Sequence, residues 1–217
     1  MKKAFVLSTL LLSPLLLAGC FKKPESQGFY NGYEIPKYNV VKQDGNIELR
    51  EYKPALIAEV EIAEADREKA VGKGFRILAS YIFGDNIADK SIAMTAPVTQ
   101  TVKAESTTIK MTAPVTQISK NNSWLVQFTM PSKYTLETLP KAKNEQIKFY
   151  NSNANKAIAV TFSGFVNDKK VADNKQILQN YAAQNSLKIS GEAIIAYYND
   201  PFTFPWNRRN EVMFEVK

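Results

Sequence analysis

Two shortages define the chemistry open to this 217-residue chain: it has no histidine, and its one cysteine is Cys20. Imidazole general bases, histidine-ligated zinc, Ser-His-Asp triads and Cys-His dyads are excluded together. Carboxylates remain. Glu48 with Glu51, or Glu59 with Glu61, have spacings that could serve as acid and base. Glu59 and Glu61 lie two apart in a strand pattern, so they share one face and are expected to keep it soluble. The phenols of Tyr52, Tyr81 and Tyr198 and the thioethers of Met94, Met111 and Met130 are the groups left that could meet a metal or a flat ring. No Gly-rich phosphate loop, metal-ligand spacing or nucleophile elbow is present, and Thr-Ala-Pro-Val-Thr has no partnered base. Such an inventory suits holding a molecule better than transforming one: the reading is a binder, not an enzyme.

The N-terminus reads as an address. Met1-Lys2-Lys3 precedes the apolar run AFVLSTLLLSPLLLAG and then Cys20. A basic start, a short apolar stretch and small residues before a cut point make a secretory signal. Leu17-Ala18-Gly19-Cys20 resembles the lipobox of bacterial lipoproteins. That resemblance implies removal of residues 1–19, acylation of Cys20 and attachment to a membrane through acyl chains. Phe21 is not the aspartate that marks inner-membrane retention, which points to the periplasmic face of the outer membrane. Losing Lys2 and Lys3 lowers the formal charge from +7 to +5. This is too mild for a nucleic-acid footprint. Residues 20–37 read as a lipidated cysteine and polar tether, unless Phe29, Tyr30 and Tyr33 pack on the domain that occupies 38–217.

The elements that must position the candidate groups follow from periodicity. Strands are expected at 38–43 and 46–52 around Asp44-Gly45, a dipeptide suited to a tight hairpin, and at 55–62. A helix begins at Asp66, carries Val71, Phe75, Leu78 and Ile82 as one apolar stripe, and stops near Gly84. Residues 92–100 (IAMTAPVTQ) recur as 109–117 (IKMTAPVTQ); both read as strands, with 124–130 completing a meander. Further strands fall at 147–150 and 157–162. A helix at 174–185 turns Ile177, Leu178, Tyr181 and Ala182 inward, and strands close the chain at 192–198 and 211–216. Each half reads strand, strand, helix, strand, strand, an α+β design.

The blocks IELREY (47–52), GFRILASYIFGDN (74–86), IAMTAPVT (92–99), KMTAPVT (110–116) and YNDPFTFPWNRRNEV (198–212) together resemble the SOUL/haem-binding protein family. The resemblance implies a distorted antiparallel β-barrel of two pseudo-symmetric halves with two flanking helices, a shape shared with GyrI-like domains. It also implies non-covalent binding of haem or another tetrapyrrole, with no other metal ion. One histidine ligand proposed in the family falls at Glu51. Basic residues that pair haem propionates in another member fall at Gly72, Ser80 and Phe204, with Lys73 and Arg76 close by. The binding set expected on this basis is Lys73, Phe75, Arg76, Tyr81, Met94, Met111 and Glu211. GyrI-like relatives carry a pocket carboxylate that pairs with cationic amphiphiles, a role Glu211 could take. Its alternative is an internal salt bridge to Arg50, Arg208 or Arg209. A chain that acts through its surface, as an envelope interaction protein with a filled interior, is the contrasting expectation.

Overall fold

The computed structural model describes residues 28–103 and 123–217. Eleven strands and two helices follow in chain order: β1 (Phe29–Tyr30), β2 (Tyr33–Glu34), β3 (Tyr38–Asp44), β4 (Ile47–Tyr52), β5 (Leu56–Ala63), α1 (Arg67–Ile82), β6 (Val98–Val102), β7 (Ser123–Thr129), β8 (Lys148–Asn151), β9 (Asn155–Phe162), α2 (Asp168–Gln184), β10 (Ile189–Tyr197) and β11 (Asn210–Val216). Nine of the strands form one curled antiparallel sheet, ordered β3-β4-β9-β11-β10-β6-β7-β5-β8. The expected α+β architecture is present, as a half-barrel with both helices on one face.

The sheet order contains the internal symmetry. Outward from the central β10–β6 ladder, one side runs β11, β9, β4 and the other β7, β5, β8. The first strand of each half therefore crosses over: β4 pairs with β9 of the second half, and β8 pairs with β5 of the first. This exchange ties the two halves into one core.

Helix α1 begins where Asp66 accepts a hydrogen bond from the Lys69 backbone N–H, and Gly84 follows its end at φ +118. It lies on β5 and β7, burying Leu78 and Ile82 as its apolar stripe requires, with Val71 and Phe75 half-buried beside them. Gly74 lets the helix come close: a Cβ there would lie 2.6 Å from the Val126 side chain. Helix α2 covers β9, β10 and β11 and starts earlier than its periodicity indicated. Its cap is Asn167, while Asn174 is buried inside the helix and its amide donates to the Lys170 carbonyl. The inward face is Val171, Asn174, Leu178, Tyr181 and Ala182; Ile177, expected inward, is 45% exposed.

Two further expectations change. The segment 92–97 is not a strand; β6 begins only at Val98, after a proline that cannot donate to a ladder. Ile92, Ala96 and Val98 are buried all the same, but so are Thr95 and Pro97, and pairing is limited to one bridge between Thr95 and Glu34, where the Ala96 N–H donates to the Glu34 carbonyl at 2.9 Å. The second copy of the repeat lies outside the described residues. Of the two readings for residues 28–37, packing on the domain is the one found. The β1–β2 hairpin places Ile35 at 3% exposure and Tyr30 edge-on against Tyr198, so the folded region starts before Tyr38. No helix among the described residues is long and apolar enough to cross a membrane.

Candidate functional site

Strand alternation sends Glu48, Arg50 and Tyr52 to the sheet face away from the helices, together with Thr161 of β9 and Glu211 and Met213 of β11. There Glu211, fully buried, is gripped by two arginines. Arg50 Nη1 and Nη2 donate to its two oxygens at 2.7 and 2.9 Å, and Arg209 Nη2 and Nε donate to Oε1 at 2.6 and 3.0 Å. The Tyr198 and Thr161 hydroxyls add 3.0 and 3.2 Å contacts. Arg50 Nε also donates to Glu48 at 2.7 Å, so two carboxylates offset two guanidiniums and the buried group is neutral. Burial alone would push the Glu211 carboxyl up, but Arg50 and Arg209 outweigh it and hold it down at about 2. Aromatic rings close the cage: Arg50 lies 4.5 Å from the Tyr38 centroid and Arg209 4.1 Å from that of Tyr198.

This corrects the assignment of Glu211 to a cationic ligand. The chain's own guanidiniums occupy the place such a ligand would need, leaving the carboxylate without a free lone pair. The internal salt bridge is the arrangement found, with Arg50 and Arg209; Arg208 instead donates to the Thr203 and Pro201 carbonyls.

The other expected binding residues are not brought together. Lys73 is exposed and pairs with Glu64 at 2.6 Å, and Arg76 is exposed on the same helix. Phe75 packs on Phe128, with ring centroids 5.6 Å apart. Tyr81 is 1% exposed, and its hydroxyl donates to the Pro140 carbonyl at 2.7 Å. Met94 is half-buried against the α1 core, and Met111 lies outside the described residues. These side chains are shared between core packing and the solvated face of one helix, which the linear motif does not distinguish.

The same contacts engage most of the axial ligands considered for haem iron. Burial raises the phenols of Tyr52, Tyr81 and Tyr198 above the ordinary tyrosine range, and their hydroxyls are already engaged, by Met213 Sδ, the Pro140 carbonyl and Glu211 respectively. Met130 is 3% exposed in the core, and Met213 Sδ accepts from the Tyr52 hydroxyl at 3.4 Å. Glu51, at the family's histidine position, pairs with Lys156 at 3.1 Å. It opens on a shallow hollow of about 560 Å³ in which Tyr52, Pro54 and Val216 stand among the charged Lys53, Lys156, Glu215 and Lys217. Among the described residues no group of three or more His, Cys, Asp or Glu could hold a metal ion. Among the described residues, Glu51, Met130 and the three phenols do not fit axial ligation.

A second recess lies on the helix-covered face of the sheet. The N-terminal halves of α1 and α2 part over the central β10–β6 ladder and leave a groove of about 450 Å³. Val102, Ala193 and Ile195 line it from the sheet, Trp124 from β7, and Val171 and Ala172 from α2. Arg67, Lys175 and three carboxylates stand around it. Arg67 is buried and held from several sides: its guanidinium donates to Asp168 at 2.8 Å, the Tyr197 hydroxyl at 2.8 Å and the Val166 carbonyl at 3.1 Å. Burial works against its charge, but the Tyr197 and Asp168 contacts raise its pKa. An apolar floor with a few fixed polar groups is the usual form of a small-molecule site. Sequence reasoning missed it because its lining comes from both helices and several strands.

Comparison with known proteins agrees with this architecture. The model of the SOUL heme-binding protein family matches residues 33–215. Heme-binding protein 2 of Homo sapiens is 30% identical over 184 residues, covering 83% of this chain and 82% of its own. Heme-binding protein 2 of Mus musculus is 27% identical over 186 residues, 82% of this chain and 84% of its own. Among solved structures, the C-terminal domain of EcmrR superposes with a TM-score of 0.56 at 13% identity, covering 83% of this chain and 98% of that one. A Listeria innocua protein described as a hydrolase gives 0.54 at 8% identity, over 82% and 94%. At such identities the structural likeness concerns the fold alone. With the family model spanning nearly all the described residues, the chain belongs to the SOUL heme-binding protein family.

Proposed function

We propose that this chain is a lipid-anchored protein of the bacterial cell envelope, facing the periplasm from the outer membrane, that holds a flat hydrophobic molecule non-covalently. Haem or another tetrapyrrole is the ligand class, and the groove between α1 and α2 is the site. The carrying observation is that groove: about 450 Å³, apolar on its floor, with Trp124 available to stack on a ring and Lys175 at its edge to meet a carboxylate. Family membership supports ligand binding of this kind, and the human relative's name refers to heme. The saturated Glu211 cluster supports placing the ligand here rather than on the other face of the sheet.

In this reading the ring is held by stacking and apolar contact, and the iron contributes little. Hemin titration followed at the Soret band should show a shifted, saturable spectrum together with quenching of Trp124 emission. Ala172→Trp, placed at an exposed position of α2 that lines the groove, should fill it and weaken binding at least tenfold without altering the far-ultraviolet dichroism. An unshifted Soret band in the wild type, or unaltered affinity in A172W, would remove the proposal. Acylation is read separately, from the intact mass of the chain purified from membranes. A free Cys20 in that material would contradict the anchor.

A further inference from the structure

Four aromatic side chains stand in solvent at one end of the molecule. Phe202 is 93% exposed, Trp206 69%, Phe165 63% and Phe204 61%. Three belong to the connection between β10 and β11, and Phe165 stands next to them under the Arg208 guanidinium, 5.4 Å from its centroid. Left in water, so much apolar surface is costly, and a cluster of this kind marks an interaction site.

The loop is built to hold these rings outward. The Asp200 carboxylate accepts the backbone N–H groups of Phe202 and Thr203 at 2.8 and 3.0 Å. Arg208 donates to the Thr203 and Pro201 carbonyls at 2.8 and 2.7 Å, closing the loop across its base. Phe204 and Trp206 stack with centroids 4.9 Å apart and planes within 7°. A rigid loop that displays aromatics beside cations has the composition that settles at the headgroup level of a bilayer. Lys170 adds a second cation, its ammonium donating to the Ser163 carbonyl beside Gly164.

The start of the described chain makes the bilayer the fitting occupant. Tyr198 and Arg209, which flank the loop, both meet the Tyr30 ring, at 5.5 and 5.1 Å. Gly28 is two residues before Tyr30, and Cys20 eight residues before Gly28. Eight residues reach at most about 28 Å. A chain anchored at Cys20 thus enters the domain beside the aromatic loop and keeps that end near the membrane surface.

We propose that the loop Asn199–Arg208, with Phe165, seats in the interface of the bilayer to which Cys20 is attached; this rests on the lipid-anchor reading. The test uses the full chain purified from membranes and reconstituted in vesicles of phosphatidylethanolamine and phosphatidylglycerol. Trp206 and Trp124 are the only tryptophans, so the difference in emission between wild type and Trp206→Ala isolates Trp206. Phospholipids brominated near the headgroup should quench that difference, and aqueous iodide should not. Iodide quenching without bromine quenching would overturn the proposal, as would protection from both quenchers, which would mean a second protein surface covers the loop. Intact mass separates the two readings. An acylated chain whose Trp206 stays in water sinks the loop contact alone. A chain without acyl groups removes the anchor, and Trp206 quenching by bromine in that chain would still uphold the loop contact.

Discussion

Replacing Glu211 by Gln keeps the side-chain shape and removes its charge, which leaves Arg50 and Arg209 buried against Glu48 alone. Its size can be worked out in two ways. The carboxyl moves from an ordinary 4.5 to about 2 on folding, and each unit is worth about 1.4 kcal/mol, so its ionisation contributes about 3 kcal/mol at neutral pH. Removing one partner of a buried pair costs about 3–5 kcal/mol by mutational precedent. With a urea slope of about 2 kcal/mol per molar, the E211Q midpoint at pH 7 should fall by about 1.5–2.5 M. The folded-state value lies below the unfolded one, so this stabilisation is complete above pH 4.5 and is lost as pH falls towards 2. Urea titrations of wild type and E211Q at pH 7, 4 and 2.5 should therefore converge at the acid end. Matching midpoints at pH 7, or a wild-type acid slope retained in E211Q, would refute the view that Glu211 serves an internal network.

Other consequences are smaller. Gly74→Ala forces a methyl group against Val126 and should cost about 1–3 kcal/mol in a denaturant titration, with partial recovery in G74A/V126A. Asp168 is 89% exposed, so Asp168→Asn should change stability by less than about 1 kcal/mol although its ion pair with Arg67 looks ideal. Arg67→Met, by contrast, strips buried hydrogen bonds from Tyr197 and Val166 and should cost at least about 2 kcal/mol in the same assay. Tyr81→Phe loses only the bond to the Pro140 carbonyl and should cost about 1 kcal/mol.

Local patterns in the chain carried much of this architecture. The alternation in IELREY and ALIAEVEI marks strands and assigns their faces, and the spacing of Val71, Phe75, Leu78 and Ile82 marks the buried side of α1. Failures came where a local rule met a non-local contact. Periodicity alone starts the second helix at 174, whereas it starts at Asp168 behind the Asn167 cap, and tertiary packing buries Asn174 within it. The run at 92–97 alternates in sequence, but Thr95, Ala96 and Pro97 are all buried and its ladder stops at a single bridge from Thr95 to Glu34. The exchange of β4 and β8 between halves is a pairing choice that periodicity does not encode. For the site, the charge logic at Glu211 was legible, since a buried carboxylate demands a cation and arginines were at hand. Of the three arginines considered, Arg50 and Arg209 are the partners found; Arg50 lies 161 positions away, so spacing alone could not choose among them. The groove was not legible: Trp124, Val171 and Ile195 acquire a common role only when the sheet brings them together.

A single comparison bears most directly on the account: parallel titrations of the full chain with hemin and with metal-free protoporphyrin, followed by Trp124 emission. A site without an axial ligand that grips the ring by apolar contact predicts two dissociation constants within about threefold of each other. Hemin binding more than about thirtyfold tighter than the metal-free ring would mean that a side chain reaches the iron, and would contradict it.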